Sequence, residues 1–312
     1  MNFQQIDYLL AINKYRSFSA AASQMFVTQP ALTIQIKNLE EELGVSLFDR
    51  KKKPLEPTAI GKRIIEHARF LQRNIEKLSD IVSEFKAELS GRLKIGIIPT
   101  VSPYLVPIFV NEFIRLYPDV QLEFKELITD EILTELAEGN LDAGIIVTPF
   151  PTTDMIEFPL YYEKFFLYVS DLHPLVKRKT VRTSELNLND LWLLEEGNCF
   201  RNQVINICVK DILDKSKEKF SYESLSIDSL RKIVDGSRGI TVIPELAVEE
   251  IPEEKKYMVK KFKDYQPVRE VTLIVEKTYL KKNLIEKLAE TIKKSTPKKM
   301  LKKRGELIST VI

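Results

Sequence analysis

Between Thr58 and Leu89, apolar residues recur at Gly61, Ile64, Ala68, Leu71, Ile75, Leu78, Val82, Phe85 and Leu89, at intervals of 3, 4, 3, 4, 3, 4, 3 and 4. Sustained alternation of three and four is the seam of a coiled-coil helix. A single helix would leave that stripe in water, so the pattern demands a partner chain. Ile64, Ala68, Leu71, Ile75, Leu78, Val82 and Phe85 are the residues expected to make the dimer contact. The helix also divides the chain into three parts, 1–58, 59–90 and 91–312.

The first part carries three shorter helical patterns. Phe3, Ile6, Leu9, Leu10 and Ile12 share one helical face, and the run Ala20-Ala21-Ala22 lets a second helix approach closely. The third opens with Thr28 as N-cap and Pro30 in the first turn, carries the stripe Leu32, Ile36, Leu39 and Leu43, and stops at Gly44. Joined by the short Phe26-Val27 connection, the second and third helices make a helix-turn-helix. From Thr28 onward, the face turned away from the core offers Gln29, Pro30, Thr33, Ile34 and Lys37. Gln can bind an adenine edge, Thr and Ile can touch a thymine methyl, and Lys suits guanine or phosphate. Arg50, Lys51, Lys52 and Lys53, followed by Pro54 to Pro57, read as a basic wing for phosphate contact. Double-stranded DNA is the expected partner, with two recognition helices of a dimer on a roughly palindromic site.

The third part alternates strand and helix patterns: Leu93–Ile98, Leu105–Tyr117, Val120–Lys125, Ile132–Glu138 and Leu141–Val147, then Phe165–Val169, a helix after Cys199 and Ile240–Ile243. Val271–Val275 and a final helix from Leu280 to Ile292 complete it. The fold class is α/β, with two lobes, about 91–161 plus 267–312 and 162–266, crossed near Tyr161 and Gln266 and enclosing a ligand cleft. No glycine-rich phosphate loop occurs, which disfavours a nucleotide-dependent enzyme. The basic run from Lys293 to Arg304 reads as a solvated helix face or a frayed end.

Two cysteines, Cys199 and Cys208, lie nine residues apart. Cys199 has Arg201 nearby and a helix starting behind it, and both features lower a thiol pKa from its usual ~8.5. Val204, Ile207, Cys208 and Ile212 keep helical spacing, so Cys208 is expected to face the core. An intact helix would hold the two Cα atoms ~13 Å apart, against the roughly 4.4 to 6.8 Å of a disulfide, so a bond between them requires unwinding. That is the geometry of a switch. The plainer alternative is two unrelated thiols, one a small core residue.

Neither a secretory start nor a membrane-length apolar stretch is present, so the expectation is a cytoplasmic protein, where a disulfide is transient. His67 and His173 make no zinc spacing with the cysteines, and neither a metal nor another cofactor is expected.

Residues 1–90, with Ala20-Ala21-Ala22, Thr28-Gln29-Pro30-Ala31-Leu32-Thr33, Leu39-Glu40, Leu43-Gly44-Val45 and Leu47-Phe48-Asp49-Arg50, resemble the winged helix-turn-helix and linker helix of LysR-type transcriptional regulators. The remainder resembles their periplasmic-binding-protein-like effector domain. Ile95 to Pro107, Leu194 to Gln203, and Cys208 in register resemble the OxyR peroxide sensors within that family. The resemblance implies that Cys199 is oxidised by hydrogen peroxide to a sulfenic acid and that Cys208 resolves it as a disulfide, reset by a thiol reductant. It also implies a peroxide pocket of Thr100, Thr129, Asn198, Arg201 and Asp142, with Arg201 stabilising the thiolate. DNA contacts would come from Gln29, Pro30, Thr33 and Arg50. The implied protein is no enzyme but an activator of oxidative-stress genes, a homodimer assembling to a homotetramer, with RNA polymerase as a further partner. Asn198 departs from the family, where histidine is common; Asn bonds but does not titrate. Two other readings stay open: a regulator answering a small metabolite in the cleft, and a thiol peroxidase, which the DNA-binding module argues against.

Overall fold

The structure, a computed structural model, describes residues 1–85, 89–150, 155–207, 224–277, 279 and 281–310, the side chains of 73, 74, 76–85 and 188 excepted. Two compact units result, Met1–Lys86 and Ala87–Ile312.

The first unit begins with α1 (Phe3–Tyr15), α2 (Phe18–Gln24) and α3 (Gln29–Leu43). Side chains of Asn2, Ser17 and Thr28 cap the three N-termini, and α3 ends where Gly44 takes the left-handed conformation, φ 68°. Leu32, Ile36 and Leu39 bury the inner face of α3 against α1 and α2. Each contributes roughly 1.5 to 3 kcal/mol by leaving water. Strands β1 (Phe48–Asp49) and β2 (Glu56–Pro57) pair antiparallel and enclose the basic wing turn.

Helix α4 (Ala59–Phe85) follows. Its apolar stripe has more than one destination. A Cβ on Gly61 would lie 2.0 Å from the Leu47 carbonyl oxygen, so Gly61 serves the close seating of α4 on the wing base instead of a seam. Ala68 is buried in the unit's own core and Ile64 packs on it, because the first turns of α4 lie against α1. Leu71 and Ile75 are 41% and 40% exposed. Leu78, Val82 and Phe85 lie outside the described side chains. Leu89 packs on the core of the second unit.

The second unit runs β3 (Gly91–Ile97), α5 (Ser102–Leu116), β4 (Val120–Glu126), α6 (Thr129–Ala137), β5 (Ala143–Thr148), β6 (Met155–Val169), β7 (Thr180–Val181), α7 (Cys199–Ile207), α8 (Ile227–Asp235), β8 (Ile240–Pro244), α9 (Glu245–Glu249), β9 (Val259–Phe262), β10 (Pro267–Glu276), α10 (Lys282–Ser295) and β11 (Glu306–Leu307). The sheet order is β4-β3-β5-β10-β6-β9-β7, with β8 on β6 and β11 on β10. Parallel β3, β4 and β5 form one lobe; β7, β8 and β9 form the other. Near Tyr161, where the chain is expected to cross, β6 runs as a single strand of fifteen residues shared by both lobes. Opposite β10, the pairing skips Leu160, next to Pro159, and this bulge absorbs the proline.

Lys293, Lys294, Lys298, Lys299, Lys302, Lys303 and Arg304 of the C-terminal basic run are exposed. Lys299 pairs with Glu245 and Glu249 at 3.2 and 3.0 Å, and the chain then docks as β11 parallel to β10, with Ile308 buried. Among the described residues, no helix is long and apolar enough to cross a membrane, and no group of three or more His, Cys, Asp or Glu is placed to hold a metal ion.

Candidate functional site

In the first unit, α3 presents Thr28, Gln29, Pro30, Ile34 and Lys37 as exposed residues on one continuous surface. The Thr33 hydroxyl donates to the Gln29 carbonyl at 2.8 Å, which satisfies its proton within the helix. Lys37 lies 3.4 Å from Glu41, and Lys52 lies 2.5 Å from Glu56 beside exposed Lys51. Exposed pairs of this kind contribute only about 0–1 kcal/mol, so a phosphate can take over either cation. Arg50 is held more firmly. Its guanidinium donates to Glu40 at 2.8 Å and lies 5.4 Å from the Phe18 ring, while the other Glu40 oxygen accepts the Leu47 N–H at 2.7 Å. Arg50 therefore braces the wing against α2 and α3.

In the second unit, Cys199 is a free thiol at the first residue of α7, and it is buried. Asn198 Oδ1 accepts the Phe200 N–H at 2.9 Å, an Asx turn that starts the helix. This cap needs no titrating group. Two elements converge on the thiol. Thr129, the first residue of α6, is brought in by close packing of that helix on β5, where a Cβ on Gly144 would lie 2.5 Å from Ile132. Arg269, on β10, is 1% exposed and sits directly across from Glu163 in the β6–β10 register. Its Nε and Nη2 donate to Glu163 at 2.9 and 2.7 Å, and Nη1 and Nη2 donate to the Thr100 hydroxyl and carbonyl at 3.1 and 3.0 Å. The Phe200 ring centroid lies 5.1 Å from the guanidinium carbon.

Charge at this centre is nearly balanced before the thiol ionises. Burial pushes the Cys199 thiol up; the Thr129 hydroxyl, the Arg269 charge and the N–H groups of Phe200 and Cys199 pull it back without restoring the ordinary value. This reverses the expected depressed pKa and open access. The physical reason is desolvation: the thiol is buried, and the hydroxyl, cation and N–H groups that favour its ionised form offset that cost only in part. Burial likewise pushes the Glu163 carboxyl up, against Arg269 and the Leu246 N–H. Alkylation of Cys199 should thus rise with pH through a midpoint above that of a free cysteine. Glu163→Gln frees the guanidinium charge and should move the midpoint down in the folded chain. A pH profile of alkylation rate checks both, and an upward move in the Gln variant would contradict the charge assignment.

The remaining residues of the expected pocket divide. Thr100 and Asn198 are buried, the first bonded to Arg269 and the second beside the thiol. The structure does not bring Arg201 to the sulfur: its Nη1 donates to the Leu194 carbonyl at 2.9 Å and Nη2 is 3.9 Å from Glu196. Two residues along an α-helix is a turn of about 200°, so a cation at that spacing faces away from the cysteine. Asp142 is not brought there either. It exchanges bonds with Lys94, accepting its N–H at 2.7 Å and donating to its carbonyl at 2.8 Å, at the start of β5. Thr100 and Thr129 follow the opposite, C-terminal ends of β3 and β4. Cys208 lies outside the described residues. Arg269 and Glu163 escaped the sequence reading, although opposite charges in two otherwise apolar strands are the available signal.

Residues 3–62 match the model of bacterial regulatory helix-turn-helix proteins of the lysR family, and 86–297 match the LysR substrate binding domain. The hydrogen peroxide-inducible genes activator of Haemophilus influenzae is 33% identical over 94% of the chain and 96% of its own length. The DNA-binding transcriptional dual regulator OxyR of Escherichia coli is 34% identical over 82% of both. Among solved structures, a full-length cysteine-to-aspartate variant of OxyR from Pseudomonas aeruginosa superposes with a TM-score of 0.72 at 30% identity, covering 94% of this chain and 98% of that one.

Proposed function

Because the chain belongs to the lysR family of bacterial regulatory helix-turn-helix proteins, we propose that it is a transcriptional regulator, not an enzyme, that senses hydrogen peroxide by reversible Cys199–Cys208 disulfide formation. The observation that carries this reading is a buried free thiol at the start of α7, facing the Thr129 hydroxyl and the Arg269 guanidinium. Relatives named as hydrogen peroxide-inducible activators support it.

The chemistry balances without a cofactor. Cys199 sulfur attacks one peroxide oxygen, the O–O bond breaks, and the other oxygen leaves as water with the thiol proton, giving the sulfenic acid. The Cys208 thiol then displaces that hydroxyl as a second water and closes the disulfide. Two equivalents of a thiol reductant return both cysteines to thiols. Thr129 Oγ1 is buried beside the thiol and is placed to meet a peroxide oxygen there. Arg269 and the N-terminal N–H groups of α7 stabilise negative charge on sulfur as the bond forms.

On the DNA side, Gln29, Pro30, Thr33, Ile34 and Lys37 read bases, while Thr28 and the wing residues Arg50, Lys51 and Lys52 hold phosphates. Two chains pair through the α4 stripe, with Leu71 and Ile75 in the seam, and place two recognition helices on a roughly palindromic operator. Dimers associate to a homotetramer in the cytoplasm. Oxidation changes the arrangement of subunits and thereby the contact with RNA polymerase at oxidative-stress genes.

Footprinting with reduced and oxidised chain tests this reading: protection should change on oxidation, and identical footprints with a proven disulfide would contradict it. Gln29→Ala should relax base preference by ~1 to 3 kcal/mol at one position per half-site. Binding-site selection checks this, and a uniform loss across all sequences would move base readout away from Gln29.

A further inference from the structure

The two halves of the redox centre, α7 with Cys199 and β10 with Arg269, are joined by a third element. After Gly305 the chain pairs with β10, Glu306 opposite Pro267 and Leu307 opposite Val268, so the contact ends one residue before Arg269. Glu306 N–H donates to the Gln266 carbonyl at 2.9 Å and Ile308 N–H to the Val268 carbonyl at 3.0 Å. A Cβ on Gly305 would meet the Gln266 carbonyl oxygen and a Val268 methyl at 2.3 Å each, so the approach is close from its first residue.

The other side of the same segment faces α7. Asn202 Nδ2 donates to the Thr310 carbonyl at 3.1 Å, Gln203 Nε2 to the Ile308 carbonyl at 3.1 Å, and Asn206 Nδ2 to the Ser309 carbonyl at 3.0 Å. Three consecutive carbonyls are thus taken by three side chains of one helix. Ile308 enters the hydrophobic core, Thr310 is buried, and its hydroxyl donates to the Pro149 carbonyl at 2.6 Å. Gln203 is fully buried, and among the described residues its Oε1 has no hydrogen-bond partner.

We propose that residues 305–310 are a strap that seats α7 against β10, with Asn202, Gln203 and Asn206 as positioning residues for Cys199, and that oxidation of Cys199 releases it. The donors sit at i, i+1 and i+4 of α7, and only a helix presents them to successive carbonyls in this way. Unwinding the cysteine helix withdraws all three at once. The release rests on the disulfide proposed above; the seating does not.

Two measurements on the full-length chain separate these claims. In the reduced protein, Gln203→Met keeps the volume and deletes one donor. One hydrogen bond lost from the closed state should raise Cys199 alkylation by about fivefold. Asn206→Ala, which removes a bond that lies exposed to solvent, should raise it in the same direction by less. Alkylation at the wild-type rate in both variants overturns the seating. Hydrogen exchange at the Glu306 and Ile308 amides of the wild type, before and after peroxide, reads the release. Exchange at least about tenfold faster in the oxidised chain supports it. Unchanged protection in a chain shown by intact mass to carry the disulfide overturns it. A chain that forms no disulfide overturns the release together with the functional reading, while the reduced-state variants still decide the seating.

Discussion

A Cys199→Ser chain is expected to bind its operator as tightly as the wild type and to lose the whole response to peroxide. The hydroxyl fits the space of the thiol, so the buried packing around α7 is retained, but an alcohol does not ionise near neutral pH and does not attack peroxide. The DNA-reading face lies in a separate compact unit with its own core. Footprints with and without peroxide check this, and any surviving response would remove Cys199 from the chemistry. Cys208→Ser should behave differently, since Cys199 would still oxidise but stop at the sulfenic acid or pass to irreversible forms. A sulfenic-acid probe should therefore label this variant and leave Cys199→Ser unlabelled.

Arg269→Met should give the largest loss of stability. It leaves the fully buried Glu163 carboxylate without its cation, a change that costs about 3–5 kcal/mol. It also removes the one cation assigned to the thiol and drops two bonds to Thr100. Pairing it with Glu163→Gln removes both charges and should recover much of the stability, because a buried ion pair and a neutral replacement are often close in free energy. Peroxide reactivity should remain low in the double variant. Denaturant unfolding and stopped-flow oxidation separate the two effects. Wild-type reactivity in the double variant would reduce Arg269 to a structural role.

What the residues reveal on their own follows from the range of each interaction. Caps, helix stripes and the start of α7 are set by neighbours within four residues, so Thr28, Gly44 and the position of Cys199 were legible. The linker stripe was legible as a stripe but not as to its partners, because periodicity does not say that Ala68 meets α1 of its own unit while Leu71 remains exposed. The cation of the redox centre was misassigned for a related reason. Arg201 is near in sequence and turned away, whereas Arg269 is seventy positions distant and arrives through the β6–β10 register. The C-terminal strap was hidden by composition. A lysine-rich run reads as solvated, and nothing local announces that Ile308 and Thr310 are buried beyond it. The lowered thiol pKa inferred from a cation and a helix terminus failed because desolvation acts through the fold and not through the neighbouring residues.

The central claim is that peroxide converts Cys199 and Cys208 into one intramolecular disulfide. Intact mass spectrometry of the full-length chain after less than one equivalent of peroxide tests it most directly. The account predicts a loss of ~2 Da, one hydrogen from each thiol, with both cysteines recovered in a single cross-linked peptide and the loss reversed by a dithiol reductant. A chain that keeps its mass, or gains oxygen elsewhere while both cysteines still alkylate, would contradict it and leave a regulator answering a small metabolite in the cleft.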